Sequence, residues 1–353
     1  MIDRRDFLRY ASVAAAGSLP APGAIRGPIR TGLLGTQHSH VRGKLQAMKQ
    51  SADYQVVSVC EHDPAVRSPS QKDPLYQDLR WVSEEELLGD PSLALIVVEC
   101  RAWEAVPWAK KVIAAGKHLH LEKPPGNEWA PFQELVEEAR RKNLLLQTGY
   151  MWRWHEGMNA AIEAARKGWL GEVYLVRGAI NSDRNPQGRA IEARYRGGSF
   201  FELGGHLIDR VVELLGRPKK VTPWLRHDTS FADQLADNTV AMLEYDRALA
   251  VISSAARMYG SDQHRGLEVI GTDGTMIVQP AESARPKLRV GMRQAQGPYK
   301  AGWQEIPLPP QPRFIGDFRE LARALKAGQP LKLSYDHELL LHETLLRASG
   351  EMS

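Results

Sequence analysis

Between Ile29 and Thr148 the chain alternates short, almost unbroken apolar runs with amphipathic stretches. "IRTGLL", "YQVVSVCE", "LALIVVE", "KHLHLE" and "NLLLQTG" read as strands, with helices over about 41–50, 105–115 and 130–142. A strand that is apolar throughout has to be covered on both faces, which a sheet with one wet face does not require. The alternation therefore predicts the α/β class, a doubly wound parallel sheet with helices on both sides. Gly116, between the second helix and "KHLHLEKPPG", suits a helix C-terminus.

Beyond Tyr150 the rhythm changes. A helix over about 155–167 leads into a long strand, "GEVYLVRGAI", and then a polar loop over 181–198. A helix at 201–215 follows, and after it come "NTVAMLEYD", "ALAVISSAA", "GLEVIGTDGTMIVQ" and "KLRVGM", strands separated by Gly/Asp turns. Helices over about 314–327 and 336–348 end the chain. This pattern predicts an α+β domain on an open, mostly antiparallel sheet. A chain of 353 residues exceeds one ordinary core. The expected division is a leader at 1–26, a dinucleotide-type domain at 27–149 and a second domain at 150–353, whose terminal helices are placed to pack back on the first.

The leader differs in kind. Arg4 and Arg5 precede Phe7, Leu8 and an Ala-rich stretch too short to span a bilayer. It resembles a twin-arginine export signal, with a floppy basic N-terminus as the alternative. The resemblance implies export in the folded state and an extracytoplasmic site of action. No stable membrane span is expected in the mature chain. The basic and acidic counts, 46 and 42, are close and scattered, so nucleic acid is not an expected partner.

Cys60 and Cys100 end the second and fourth apolar runs. In a doubly wound sheet the first strand lies between them, which sets them roughly 9.6 Å apart at about 4.8 Å per strand. That exceeds the Cα limit of about 7 Å for a disulfide. Two free thiols are expected.

Three stretches carry chemistry. In "GTQHSH", after the first strand, Gly35 holds the first glycine position of a dinucleotide loop, while Gln37 and His40 replace the other two. Such a turn presents backbone N–H groups and a helix N-terminus to a pyrophosphate. Gly35, Thr36, Gln37 and His38 are thus candidate cofactor contacts. Glu61, 26 residues beyond Gly35, is the candidate acid for the ribose hydroxyls and would favour NAD over NADP; it is also readable as a solvated strand-end acid.

"EKPPG" follows the fifth strand at the edge where open α/β sheets bind ligands. There Glu122 and Lys123 would face a cofactor, and a desolvated lysine can exchange protons with a substrate hydroxyl. In "GGSFFELGGHLIDRVVELLG", Glu202, His206 and Asp209 share one helical face. Gly204 and Gly205 inside a helix indicate that something approaches closely. Glu202 and His206 also have the spacing of two metal ligands, with a third to come from His38, His40, His120 or His155. A capped helix with a core histidine is the plainer alternative.

The glycine turn, Glu-Lys-Pro, "TGYMWRW" and Gly-Gly-x-x-x-Glu-x-Gly-x-His-x-x-Asp resemble the Gfo/Idh/MocA oxidoreductases over about residues 29–348. The resemblance implies a Rossmann domain, a sheet domain that often mediates homo-oligomers, and NAD with a sugar or cyclitol held between them. Carried over by position, Lys123 is the active-site lysine and His206 the proton-relay histidine. Glu202 stands where aspartate is usual, and Tyr150 and Arg153 form the interdomain Tyr-x-x-Arg. Departures are Gln37 and His40 in the loop, and "ECRAWEAV" in place of Thr-Pro-Asn with its downstream histidine.

The expected mechanism has Lys123 or His206, oriented by Glu202, taking a hydroxyl proton as hydride passes to the nicotinamide. Export implies a retained, internally recycled cofactor. Tyr150, Trp152 and Trp154, spaced by two, would share a face of an extended segment and stack on a sugar ring, or equally belong to the core; Tyr150, Arg153, Trp154 and Asp209 are the candidate substrate contacts. The alternatives are a metal-assisted, non-redox sugar enzyme using Glu202 and His206, and a cofactor-free exported sugar-binding protein.

Overall fold

The computed structural model describes residues 24–282 and 285–353. The twin-arginine motif lies outside the described residues. Six parallel strands form the first sheet: β1 (Ile29–Leu34), β2 (Tyr54–Cys60), β3 (Arg80–Trp81), β4 (Leu95–Val98), β5 (His118–Leu121) and β6 (Leu146–Thr148), in the order β3-β2-β1-β4-β5-β6. Every residue of β4, "LIVV", is buried, as two covered faces require. Helices α1 (Val41–Lys49), α2 (Pro64–Lys72), α3 (Glu84–Gly89), α4 (Ala102–Ala114) and α5 (Trp129–Arg141) connect the strands. Sequence periodicity missed α2, β3 and α3, which are short; α3 is fixed by a capping box between Ser83 and Glu86.

β1 separates β2 from β4, so Cys60 and Cys100 remain buried free thiols, as strand spacing requires. Gly116 takes φ +72°, the left-handed value of a helix cap.

The second sheet has eight strands: β7 (Val173–Ala179), β8 (Lys220–Arg226), β9 (Asn238–Glu244), β10 (Leu249–Ala255), β11 (Gly266–Gly271), β12 (Gly274–Val278), β13 (Lys287–Met292) and β14 (Gly302–Pro307). Their order is β14-β13-β12-β11-β7-β10-β9-β8, antiparallel except where β7 meets β10. Alternating burial, as in β9 and β10, shows a sheet with one face on the core. On that face lie α6 (Glu156–Arg166), α8 (Gly198–Leu203) and α9 (Gly205–Leu215). Leu207 packs so closely on Gly178 of β7 that a Cβ there would meet it at 2.9 Å.

Two expectations need correction. The polar loop at 181–198 contains a further helix, α7 (Pro186–Glu192), started by Pro186 and capped by Asn185, whose side chain accepts from Gly188 N at 2.8 Å. The helix expected at 201–215 is two helices, α8 and α9, broken at Gly204.

The terminal helices α10 (Ile315–Ala327) and α11 (Tyr335–Ala348) join the halves. Tyr54 Oη donates to Phe318 O at 2.6 Å, and Glu338 accepts from Thr148 Oγ1 at 2.5 Å. The last segment of the chain thus packs on the first sheet and holds it against the second.

Candidate functional site

A cavity of about 570 Å³ opens where the C-terminal ends of β1, β4 and β5 face α7, α8 and α9. Lys123, Glu202 and His206 line it together with Gln37, His38 and His40. The crevice lies beside the point where the strand order reverses, between β1 and β4.

Gly35 turns at φ +92°, and a Cβ there would meet Glu99 O at 2.7 Å, so only glycine fits. Glu61 accepts from Thr36 N at 2.6 Å, Thr36 Oγ1 at 3.1 Å and Gln37 Nε2 at 3.3 Å, which makes it a brace for the loop from the end of β2. His38 and His40 turn toward the cavity.

Glu122 accepts from His40 Nδ1 at 2.9 Å and pairs with Lys44 through its other oxygen. Lys44, wholly buried on α1, also reaches Glu99 Oε1 at 2.6 Å. Burial alone raises Glu122, but Lys44, His38 and His40 outweigh it and hold the carboxyl well below its usual range. Burial pushes Glu99 up to about 7 despite Lys44. One ammonium thus serves two carboxyls and keeps Glu122 ionised. The signal for Lys44 was in the sequence: a lysine on the apolar stripe of Val41, Leu45 and Met48.

Lys123 Nζ donates to Glu202 Oε1 at 2.6 Å and to Glu202 O at 2.9 Å. Burial raises the Glu202 carboxyl, but Lys123 and His38 outweigh it and hold it well below its usual range. Glu202 therefore orients Lys123 rather than His206, contrary to the sequence expectation. The break at Gly204 separates the helix that carries Glu202 from the one that carries His206.

His206 is buried with Nδ1 unpartnered, its ring 5.5 Å from Tyr150 and 5.7 Å from Trp152. Burial first, then Lys123 and His40, push its pKa well below the ordinary value, so the imidazole is neutral at pH 7. A Cβ on Gly205 would lie 2.5 Å from Tyr150 Cε1, so the close approach inferred from the paired glycines includes this ring.

The expected substrate contacts are redistributed. Residues Met151–Trp154 form a 3₁₀ turn, not an extended segment, and neither Trp152 nor Trp154 lines this cavity. Trp154 faces a separate groove of about 1140 Å³ and donates to Asp317 Oδ1 at 2.8 Å. Arg153 and Asp209 are buried behind the cavity. Arg153 bonds Asp209 at 2.9 Å and grips Glu338 with two nitrogens at 2.7 and 2.8 Å, while Asp209 also takes Arg210 and His337. Tyr150 is buried with its hydroxyl unpartnered. Its contribution, like those of Arg153 and Asp209, is to the junction between the domains.

Glu202 and His206, the alternative pair of metal ligands, do not belong to any cluster of three donors that could hold an ion among the described residues. His38, His40 and Glu122 do bring three donor atoms within 4.8 Å of one another. Lys44 holds that carboxylate and Arg313 Nη2 donates to His40 Nε2 at 3.1 Å, a cationic setting that opposes a divalent ion.

Comparison with known proteins places this geometry. The profile described as the GFO/IDH/MocA C-terminal domain matches residues 158–277, and that of the oxidoreductase family with an NAD-binding Rossmann fold matches residues 29–150. The chain belongs to the Gfo/Idh/MocA oxidoreductase family. An uncharacterized oxidoreductase of Escherichia coli, YhhX, is 29% identical over 53% of this chain and 54% of its own, so the chain spans about half the length of that relative. The dTDP-3,4-didehydro-2,6-dideoxy-alpha-D-glucose 3-reductase of Saccharopolyspora spinosa is 24% identical over 86% of this chain and 90% of its own. The fold is shared with GenD2 from gentamicin A biosynthesis, solved with NAD (TM-score 0.74, 22% identity, 95% of this chain and 97% of that one).

The loop fits the family's dinucleotide despite its replaced glycines. The Gly35 turn is intact, and Ser39 N–H, just ahead of α1, has no hydrogen-bond partner among the described residues. A free N–H at a helix start is a phosphate donor.

Proposed function

We propose that this protein is an NAD(P)-dependent oxidoreductase acting on a hydroxyl of a sugar, glycoside or cyclitol. The observation that carries the reading is the meeting of Lys123 and His206 in one cavity beside the Rossmann switch point. The Ser39 N–H would meet the pyrophosphate, on the turn that Gly35 makes; the Thr36, Gln37 and His38 N–H groups are bonded to Glu61 and Glu99, and both Glu61 oxygens are engaged in bracing the loop. When bound, the nicotinamide supplies a hydride acceptor. Lys123 Nζ, kept in place by Glu202, donates a hydrogen bond to the substrate oxygen and stabilises the charge that develops there. His206, neutral at pH 7, takes the hydroxyl proton. Relatives whose names specify a sugar reductase and a scyllo-inositol 2-dehydrogenase support the substrate class.

The twin-arginine motif supports export, and with it a cofactor that stays bound and is recycled in a reaction without net redox change. Among the described residues no helix is long and apolar enough to cross a membrane. Mass spectrometry of molecules released on denaturing the exported protein tests this. About one NAD(H) per chain is expected; none, even after soaking in excess, refutes the proposal. With the cofactor bound, Lys123→Ala and His206→Asn should each lower turnover by about 10²- to 10⁴-fold, the usual worth of positioned proton transfer, while leaving cofactor content unchanged.

A further inference from the structure

The cavity carries more positive charge than proton transfer on a neutral sugar requires. Each acid on its wall already has a cation: Glu192 holds Arg184 at 2.5 Å, Glu202 holds Lys123 at 2.6 Å and Glu282 holds Arg265. Arg313 and Arg101 also line the cavity, and among the described residues neither has a carboxylate within ion-pair distance; Glu282, which Arg265 already bonds, feels the Arg313 charge from farther off. Arg313 donates to His40 Nε2 at 3.1 Å and rests its Nε against Met151 Sδ at 3.2 Å. Both partners are neutral. Burial, in spite of Glu122, pushes His40 down to about 4, and a thioether carries no charge. The Arg184 Nε is buried without a partner, a further donor in the same wall. Arg313 also borders the larger groove, so its guanidinium sits where the two spaces meet.

A planar guanidinium that no carboxylate bonds suits a carboxylate or phosphate, which it can grip with two nitrogens. We propose that the substrate carries an anionic group, a carboxylate or a phosphate, that Arg313 receives, with Arg101 and Arg184 lining the same cavity. This rests on the oxidoreductase reading above and narrows its substrate to a sugar acid or a sugar phosphate. The anion would hold the substrate at the mouth of the cavity while its hydroxyl reaches Lys123 and His206.

Calorimetric titration of the full chain, saturated with NAD, compares D-glucuronate and D-glucose 6-phosphate with neutral methyl D-glucoside. At least one anion should bind about ten- to hundred-fold tighter than the neutral sugar, the worth of a hydrogen-bonded charge pair. Added salt should shrink the preference, and Arg313→Gln should bring the ratio close to one. Arg313 is exposed, so the substitution leaves the core intact. The preferred anion identifies the group. Equal binding of all three sugars, absence of binding by either anion, or a preference that survives Arg313→Gln overturns the proposal. Cofactor content is measured separately on the same protein, so loss of the oxidoreductase reading is seen independently of the anion result.

Discussion

Replacing Lys44 by methionine would remove the charge on which the floor of the site depends. Its ammonium lies between Glu99 and Glu122 with none of the three side chains more than 2% exposed. Methionine fills nearly the same volume, so packing survives and the charge alone is lost. Breaking a buried ion pair by removing one partner costs about 3–5 kcal/mol, because the remaining charge has no compensation. Glu99, already raised to about 7, gives relief only by protonation. Glu122, now held well below its usual range, would be raised once Lys44 is gone.

The sign of the pH dependence follows. In the variant a folded carboxyl with a raised pKa binds a proton that the unfolded chain has released, so stability falls as pH rises through that window. The deficit against the parent should therefore be greatest near pH 8 and narrow toward pH 6 by up to about 1.4 kcal/mol per unit. Urea unfolding followed by circular dichroism at the two pH values measures it. A deficit below about 1 kcal/mol, or one that does not narrow in acid, would refute an uncompensated buried carboxylate.

Gly205→Ala should lower stability by about 1–2 kcal/mol, overpacking against Tyr150 outweighing the gain in helix propensity; thermal unfolding that matches the parent would show that the ring moves freely. Burial pushes His40 and His118 down to about 4 and His120 and His342 to about 3, so each is neutral in the folded chain and charges on unfolding below about 6.5. Asp317, raised to about 6, and Glu99 act in the opposite sense. Burial lowers His155 and His206 as well, so the lowered histidines outnumber the raised acids, the unfolded chain binds more protons, and stability should fall as pH drops from 6.5 toward 4.5. Denaturant midpoints constant over that range would contradict the buried neutral histidines.

Strand and helix periodicity, read locally, was enough for the parallel sheet, the switch from Rossmann to open sheet, and the two unpaired thiols, because each depends on neighbours a few residues apart or on strand order. The same local reading found Gly35, Lys123 and His206, since a turn glycine, a strand-end lysine and a helical histidine announce themselves by position. It failed where one turn changed character: "MWRW" has the alternation of a strand but coils as 3₁₀, which turns Trp154 away from the cavity, and the break at Gly204 hands Glu202 to Lys123.

What the sequence by itself determined is the two sheets and the position of Lys123 and His206 where they meet. Only the tertiary structure decided which charges are paired. Lys44 meets Glu122 across 78 residues, and Arg313 reaches His40 across 273. Neither pairing leaves a period in the chain. Whether a cation is neutralised or left for a ligand depends on which carboxylates the fold brings within a few ångströms, and that distance exists only in the folded chain: within the first domain for Lys44, and between that domain and the chain's last segment for Arg313.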